Sequence, residues 1–210
     1  MKPAIMQKTS RAPWFSRRIK LHEDAAAGPV IHTRRLLLRP LVMRDARDFF
    51  AYARDPRVAE YVLWDPHTSL GQTRAILRNL IAGSKQEDLH TKALVLKGTG
   101  RMIGTLGLVA RDWDNQAAEV GFSLAADQWG QGLMTEALTA YLAYIFRQPG
   151  IHRVEGQHDV YNPASGAVMK KAGMQPEGVL KERIRYKGRY ASVALYAAIR
   201  EQWLKAHESG

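Results

Sequence analysis

The chain has no cysteine. That absence removes disulfides, a thiolate nucleophile and Cys-ligated metal together, so no acyl group can pass through a thioester on the protein. No apolar run approaches the roughly 18 residues that span a bilayer, and the first residues lack the apolar core of a secretory signal. The sequence therefore reads as cytoplasmic, with no membrane span. Two nucleotide-binding patterns are missing as well. The dinucleotide Gly-x-Gly-x-x-Gly fingerprint fails because Thr135 stands three places after Gly132, and no Gly-x-x-x-x-Gly-Lys-Ser/Thr loop occurs. His152 and His158 fall on one face of an expected strand but have no third ligand, so no metal site is expected.

Acidic residues are absent from the first 22 positions, whereas Lys2, Lys8, Arg11, Arg17, Arg18 and Lys20 are all basic. Residues 1–30 show no sustained apolar period and read as a basic, flexible arm. Its readings are a contact with RNA, a ribosomal particle or an acidic membrane, an organellar transit peptide, and a solvated tail. The net charge of +11 over 210 residues also favours encounter with phosphorylated ligands. No internal repeat or low-complexity linker interrupts residues 31–210, which are expected to form one domain with one core.

Within that domain, periodicity predicts alternating strands and helices. Leu36 to Arg39 is a strand. Met43 to Ala53 is a helix with Ala46, Phe49, Phe50 and Ala53 on one face, Asp55-Pro56 starts a short helix through Tyr61, and Leu70 to Ala82 forms another. Ala93 to Leu96 and Met102 to Val109 flank a Lys97-Gly98-Thr99-Gly100 turn as a hairpin. Ala117 to Leu124 is a strand in which Gly121 marks a bulge or a close ligand approach. After a helix over Leu133 to Phe146, Arg153 to Val160 is a strand. Asn162 then caps a helix with Pro163 at its first position, which ends near Gly173, and Val193 to Ile199 is a last strand before a tail helix.

The richest segment is Gln128-Trp129-Gly130-Gln131-Gly132-Leu133-Met134-Thr135-Glu136-Ala137. It follows a strand and opens a helix, where free backbone N–H groups and the positive end of the helix dipole make an anion site. By itself such a turn is weak evidence. Glu136, just after it, reads as a support for loop and helix.

Together with Thr33-Arg34-Arg35-Leu36-Leu37-Leu38-Arg39-Pro40, Arg101 to Leu108, Ala118 to Phe122, Asn162-Pro163-Ala164-Ser165 and Lys171-Ala172-Gly173-Met174, this segment resembles the GNAT superfamily of N-acetyltransferases. It is most similar to the RimJ/RimL branch of ribosomal-protein-alanine N-acetyltransferases, over about residues 31–203. The resemblance implies an α/β (α+β) fold. Its central sheet is mixed and mostly antiparallel, with helices on both faces and a splayed strand pair holding acetyl-CoA, used as a cosubstrate. It further implies an enzyme that moves the acetyl group to a primary amine by direct attack. The backbone of Phe122, Ser123 and Leu124 would pair with the pantetheine arm, and the segment Trp129, Gly130, Gln131, Gly132, Leu133, Met134, Thr135 would hold the pyrophosphate.

The superfamily pattern places Arg or Gln where this chain has Trp129, and Gly or Ala where it has Met134, so binding should rest on backbone N–H groups. Many members place a proton-donating Tyr at the position of Met169, which cannot donate; Ser165 is the nearest hydroxyl. Glu119 corresponds to the branch's general base, Asn162 to a coenzyme contact or a cap, and Trp64 to one lip of the acceptor pocket or to core. Ser192 replaces an acidic residue usual in the last hairpin. An α-amine, with a reference pKa of about 8 against about 10.4 for lysine, needs less help to attack, which favours a protein or peptide N-terminus as acceptor. A small-molecule amine as acceptor and a non-catalytic acyl-CoA- or RNA-binding module are the alternatives; monomer and homodimer both fit.

Overall fold

The computed structural model of the chain describes residues 29–86 and 91–207. Apart from its last two residues, the expected basic arm lies outside them. The elements run β1 (Ile31–His32), β2 (Leu36–Pro40), α1 (Ala46–Ala53), α2 (Pro56–Ala59), α3 (Leu70–Gln86), β3 (Lys92–Leu96), β4 (Met102–Asp112), β5 (Ala117–Leu124), α4 (Leu133–Arg147), β6 (Arg153–Asp159), α5 (Pro163–Lys171), β7 (Gln175–Tyr186), β8 (Arg189–Ile199) and α6 (Arg200–His207).

The strands form one sheet in the order β1-β2-β3-β4-β5-β6-β8-β7. Every neighbouring pair is antiparallel except β5 and β6, which run parallel. Register sorts the side chains into two faces, because successive residues of a strand point to opposite sides. On one face Leu38, Leu94, Gly104 and Leu124 lie in a row across four strands. They join a core that includes Ala137, Leu138, Tyr141 and Leu142 of α4, and burial of this apolar surface is the main force holding helix to sheet. The adjacent row, Arg39, Ala93, Thr105 and Ser123, faces the other way. There α1 covers it: the Tyr52 hydroxyl is buried beside those of Thr105 and Ser123, which hydrogen-bond each other at 3.0 Å. Helices thus cover both faces, as the resemblance implied.

The chain departs from the periodicity reading in three places. Strand β7 was not anticipated. Its first nine residues are all exposed, so this edge strand shows no apolar alternation. Strand β8 begins at Arg189, four residues before the expected Val193, and the pair makes a long hairpin. The bulge near Gly121 sits on the opposite strand: Leu108 pairs with Val120 and Ala110 with Glu119, leaving Val109 extra. A Cβ at Gly121 would lie 2.6 Å from Val109 Cγ1, so the glycine accommodates its neighbour's bulge.

Candidate active site

Strands β5 and β6 pair at Ala117 with Arg153, Ala118 with Val154 and Glu119 with Glu155, and then part. The remaining five residues of β5 and four of β6 have no partner in each other, so a slot opens at the C-terminal ends of two parallel strands. Its β5 edge has a definite polarity. Ala125 N–H donates to Ile103 O at 2.7 Å, and alternate residues of an antiparallel pair direct both backbone groups to the same side. Ser123 therefore spends its backbone groups on β4, while those of Phe122 and Leu124 face the slot. The Leu124 carbonyl is already taken by the Trp129 indole N–H at 2.8 Å.

Below the slot, a short 3-10 turn (Ala126–Gln128) leads through Trp129 to Gly130 and Gly132, both with positive φ, +75° and +73°. These left-handed positions suit glycine and turn the chain sharply into α4. The first amide to enter the helical ladder is that of Glu136, bonded to Gly132 O at 3.0 Å. The amides of Leu133, Met134 and Thr135 precede it and point out of the helix end. Leu133 and Met134 bury their side chains in the core, so only their backbone can serve a ligand.

Glu136 fixes this turn to the start of the sheet. Its carboxylate accepts from Thr33 Oγ1 (2.6 Å), Arg35 N–H (2.7 Å) and Arg35 Nε (2.7 Å), and Arg35 Nη1 donates to Gln131 O at 2.9 Å. Burial would raise the Glu136 carboxyl; these hydrogen bonds outweigh it and hold the group below the usual range.

On the α1 side of the slot stands Glu119, half-buried. Burial pushes its carboxyl up, the Gln157 amide opposes this, Glu155 adds to the rise and Arg183 draws it down. The outcome is a raised pKa, the direction that suits a general base working near neutrality. The arrangement offers an anion cradle, an open strand edge and a perturbed carboxylate around one slot.

The family model of the acetyltransferase (GNAT) domain matches residues 35–175. The chain belongs to the GNAT acetyltransferase family. It is 28% identical over 173 residues to the uncharacterized N-acetyltransferase p20 of Bacillus licheniformis, covering 82% of this chain and 97% of that protein. To the ribosomal protein uS5-alanine N-acetyltransferase of Escherichia coli K12 it is 32% identical over 87 residues, which are 41% of this chain and 45% of that one. RimL, a ribosomal L7/L12 alpha-N-protein acetyltransferase solved in complex with coenzyme A, superposes with a TM-score of 0.72 at 26% identity, over 81% of this chain and 98% of RimL.

In this GNAT domain Asn162 occupies the cap position of α5, with Pro163 following, but its side chain makes no capping bond. Instead Asn162 Nδ2 donates to Ser165 Oγ at 3.0 Å. That leaves the Ser165 hydroxyl hydrogen uncommitted to this contact and able to donate elsewhere. Met169 is 1% exposed, and its sulfur fills the space above Gly156, 2.7 Å from where a Cβ would stand; it belongs to the core, not to the slot. Trp64 packs against the core with its ring 5.5 Å from that of His67. Ser192 Oγ accepts from Glu182 N–H at 3.0 Å, within the irregular part of the last hairpin. His158 Nδ1 lies 2.8 Å from Asp159 O, and no group of metal-binding side chains forms among the described residues.

Periodicity missed two contributors. Arg35 reads in the sequence only as part of a first strand, although a basic residue beside a strand start and an acid at the fourth position of a helix are a pairing signal. Asp159 is buried at the end of β6, where it accepts from Tyr186 OH (2.5 Å), Arg189 Nη2 (2.5 Å) and Tyr161 N–H (2.9 Å). Lys187 Nζ donates to Ala59 O, so the tip of the β7–β8 hairpin is tied to α2. Apart from the Tyr161 N–H, two residues from Asp159, nothing in the local sequence announces these contacts, because they join residues 27 or more positions apart.

Proposed function

We propose that this GNAT enzyme transfers the acetyl group of acetyl-CoA to the α-amine of a protein or peptide N-terminus, as the RimJ/RimL branch does. The observation that carries the reading is the slot where β5 and β6 part, with Glu119 on one side and the amides of Gly132 to Thr135 at its foot. Acetyl-CoA fits the residues present. The pyrophosphate takes the N–H groups at the start of α4, and the pantetheine arm runs along Phe122 and Leu124 as a substitute strand. RimL, which acts on a ribosomal protein and was solved with coenzyme A, supports both the cofactor and the acceptor class. A ribosomal or newly made protein N-terminus as acceptor supports a cytoplasmic site of action.

In this mechanism the acceptor ammonium loses one proton to Glu119, directly or through one water, and the freed lone pair of its nitrogen attacks the thioester carbonyl carbon. The carbonyl oxygen becomes an oxyanion beside an N–H of the β5 edge. Collapse breaks the carbon–sulfur bond; the nitrogen releases its second proton to water, and Ser165 Oγ–H, steadied by Asn162 and itself reprotonated from water, protonates the departing thiolate.

Titration calorimetry with acetyl-CoA tests the cofactor, with Gly132→Glu as the control that blocks the cradle. Micromolar binding abolished by G132E is expected; no binding by the intact protein would overturn the reading. A screen of N-terminal peptides then identifies the acceptor. Glu119→Gln should lower kcat/KM by about 10²-fold or more while acetyl-CoA binding stays unchanged.

A further inference from the structure

The parallel pairing ends at Glu119 and Glu155. Side chains two residues apart on a strand share a face, so the next positions on the Glu119 side are Gly121 on β5 and Gln157 on β6. Gly121 contributes no side chain. Gln157 crosses the opening gap at this level: its Nε2 donates to Glu119 Oε1 at 2.8 Å. Glu155, the direct register partner, offers only acceptors and is turned to Arg153 Nε at 2.6 Å, while Arg153 is itself held by Glu177 from β7.

We propose that Gln157 is the positioning residue of the general base: it holds Glu119 Oε1 at the point where the strands part, so that Oε2 is presented to the acceptor amine. The proposal rests on the reading of Glu119 as base. An amide N–H can only donate to a carboxylate oxygen, so it favours the ionised form and ties up one of the two oxygens. A glutamate at 157 would repel Glu119, and a shorter side chain would not span the gap. The other charged groups facing Glu119 are Glu155 from β6 and Arg183 from β7, and β4 presents uncharged Ala110 at that register. Removing the Gln157 donor leaves burial and Glu155 to raise the carboxyl further.

Gln157 is exposed, so its variants should fold as the wild type does. The test is the pH profile of kcat/KM for Gln157→Leu, Gln157→Glu and Gln157→Lys, with acetyl-CoA affinity measured alongside. Gln157→Leu should lower kcat about tenfold or more and move the acid limb up by about one unit. Gln157→Glu should move it further up and Gln157→Lys down, all with unchanged acetyl-CoA affinity. A merely structural contact would give losses without this ordered movement, and acid limbs that coincide with the wild type would overturn the proposal. Glu119→Gln separates the two failures. If it retains the rate and the acid limb, the base assignment itself falls; if it loses both while the Gln157 variants leave the limb in place, only the role of Gln157 falls.

Discussion

His67 is a buried imidazole in an aromatic line. Its ring lies 5.3 Å from Phe49 and 5.5 Å from Trp64, and Phe49 stacks on Tyr52 at 5.3 Å. Nδ1 meets Thr73 Oγ1 at 2.9 Å, linking the segment before α3 to the helix itself. Burial lowers its pKa below the ordinary 6.5, so the unfolded chain takes up the proton first as pH falls. Its contribution to stability is therefore intact above about pH 6.5 and is lost as pH falls from there to the lower folded value. Thermal melts between pH 7.5 and 5 should show a steeper loss for the wild type than for His67→Leu, whose interior carries no such group. At this scale the sequence was partly legible. Glu119, Gly132, Asn162 and Ser165 stand out through motif and spacing, the last two being three residues apart at the start of one helix, but the burial of His67 depends on how α1 packs against the segment before α3, which no local pattern encodes.

Among the elements, α4 has two duties, since one face joins the core and its first turn forms the proposed anion cradle. Glu136 connects them, because the carboxylate that anchors the helix to Thr33 and Arg35 also holds the arginine that restrains Gln131. Glu136→Gln keeps the shape and removes the charge that pairs with Arg35. It should raise the KM for acetyl-CoA several-fold with kcat little altered, as steady-state kinetics at saturating acceptor would show, because the cradle loosens while Glu119 and Gln157 stay in place. The α4 and β5 boundaries were readable from apolar periodicity because each buries one clear face. Strand β7 was not, since an edge strand exposed over most of its length leaves no two-residue rhythm. The bulge was read on the wrong strand for a related reason: the glycine shows in the sequence, whereas the extra Val109 it accommodates looks like any other strand residue.

Over the whole molecule, the excess of positive charge is not confined to the N-terminal segment. Residues 1–30 hold six of the 31 basic and two of the 20 acidic residues, which leaves +7 of the net +11 in residues 31–210. Arg44 just before α1, Arg47 on it, Arg54 at its end and Arg74 and Arg78 on α3 are exposed, and none forms an ion pair among the described residues. A field of this sign raises the encounter rate with anionic coenzyme and is screened within about 8 Å at physiological salt. The sheet itself is nearly two sheets. Three residue pairs join β5 to β6; the rest of the divide is bridged by His152 N–H to Gln116 O at 2.7 Å, by Gln157 to Glu119, by Lys187 to Ala59, and by a core in which α4 meets Met169 and Ala172 of the α5 end and Trp203 of α6. So short a strand junction allows the backbone to be cut at the start of β6 while the shared core brings the two halves back together. Fragments 1–149 and 150–210, co-expressed with a fluorescent half-reporter on each, should complement one another weakly alone and more strongly with acetyl-CoA, which as proposed touches both halves. Equal signal with and without the coenzyme would place its binding on one fragment. A domain whose proposed ligand site straddles so short a strand junction in its sheet is a ready-made sensor for that ligand.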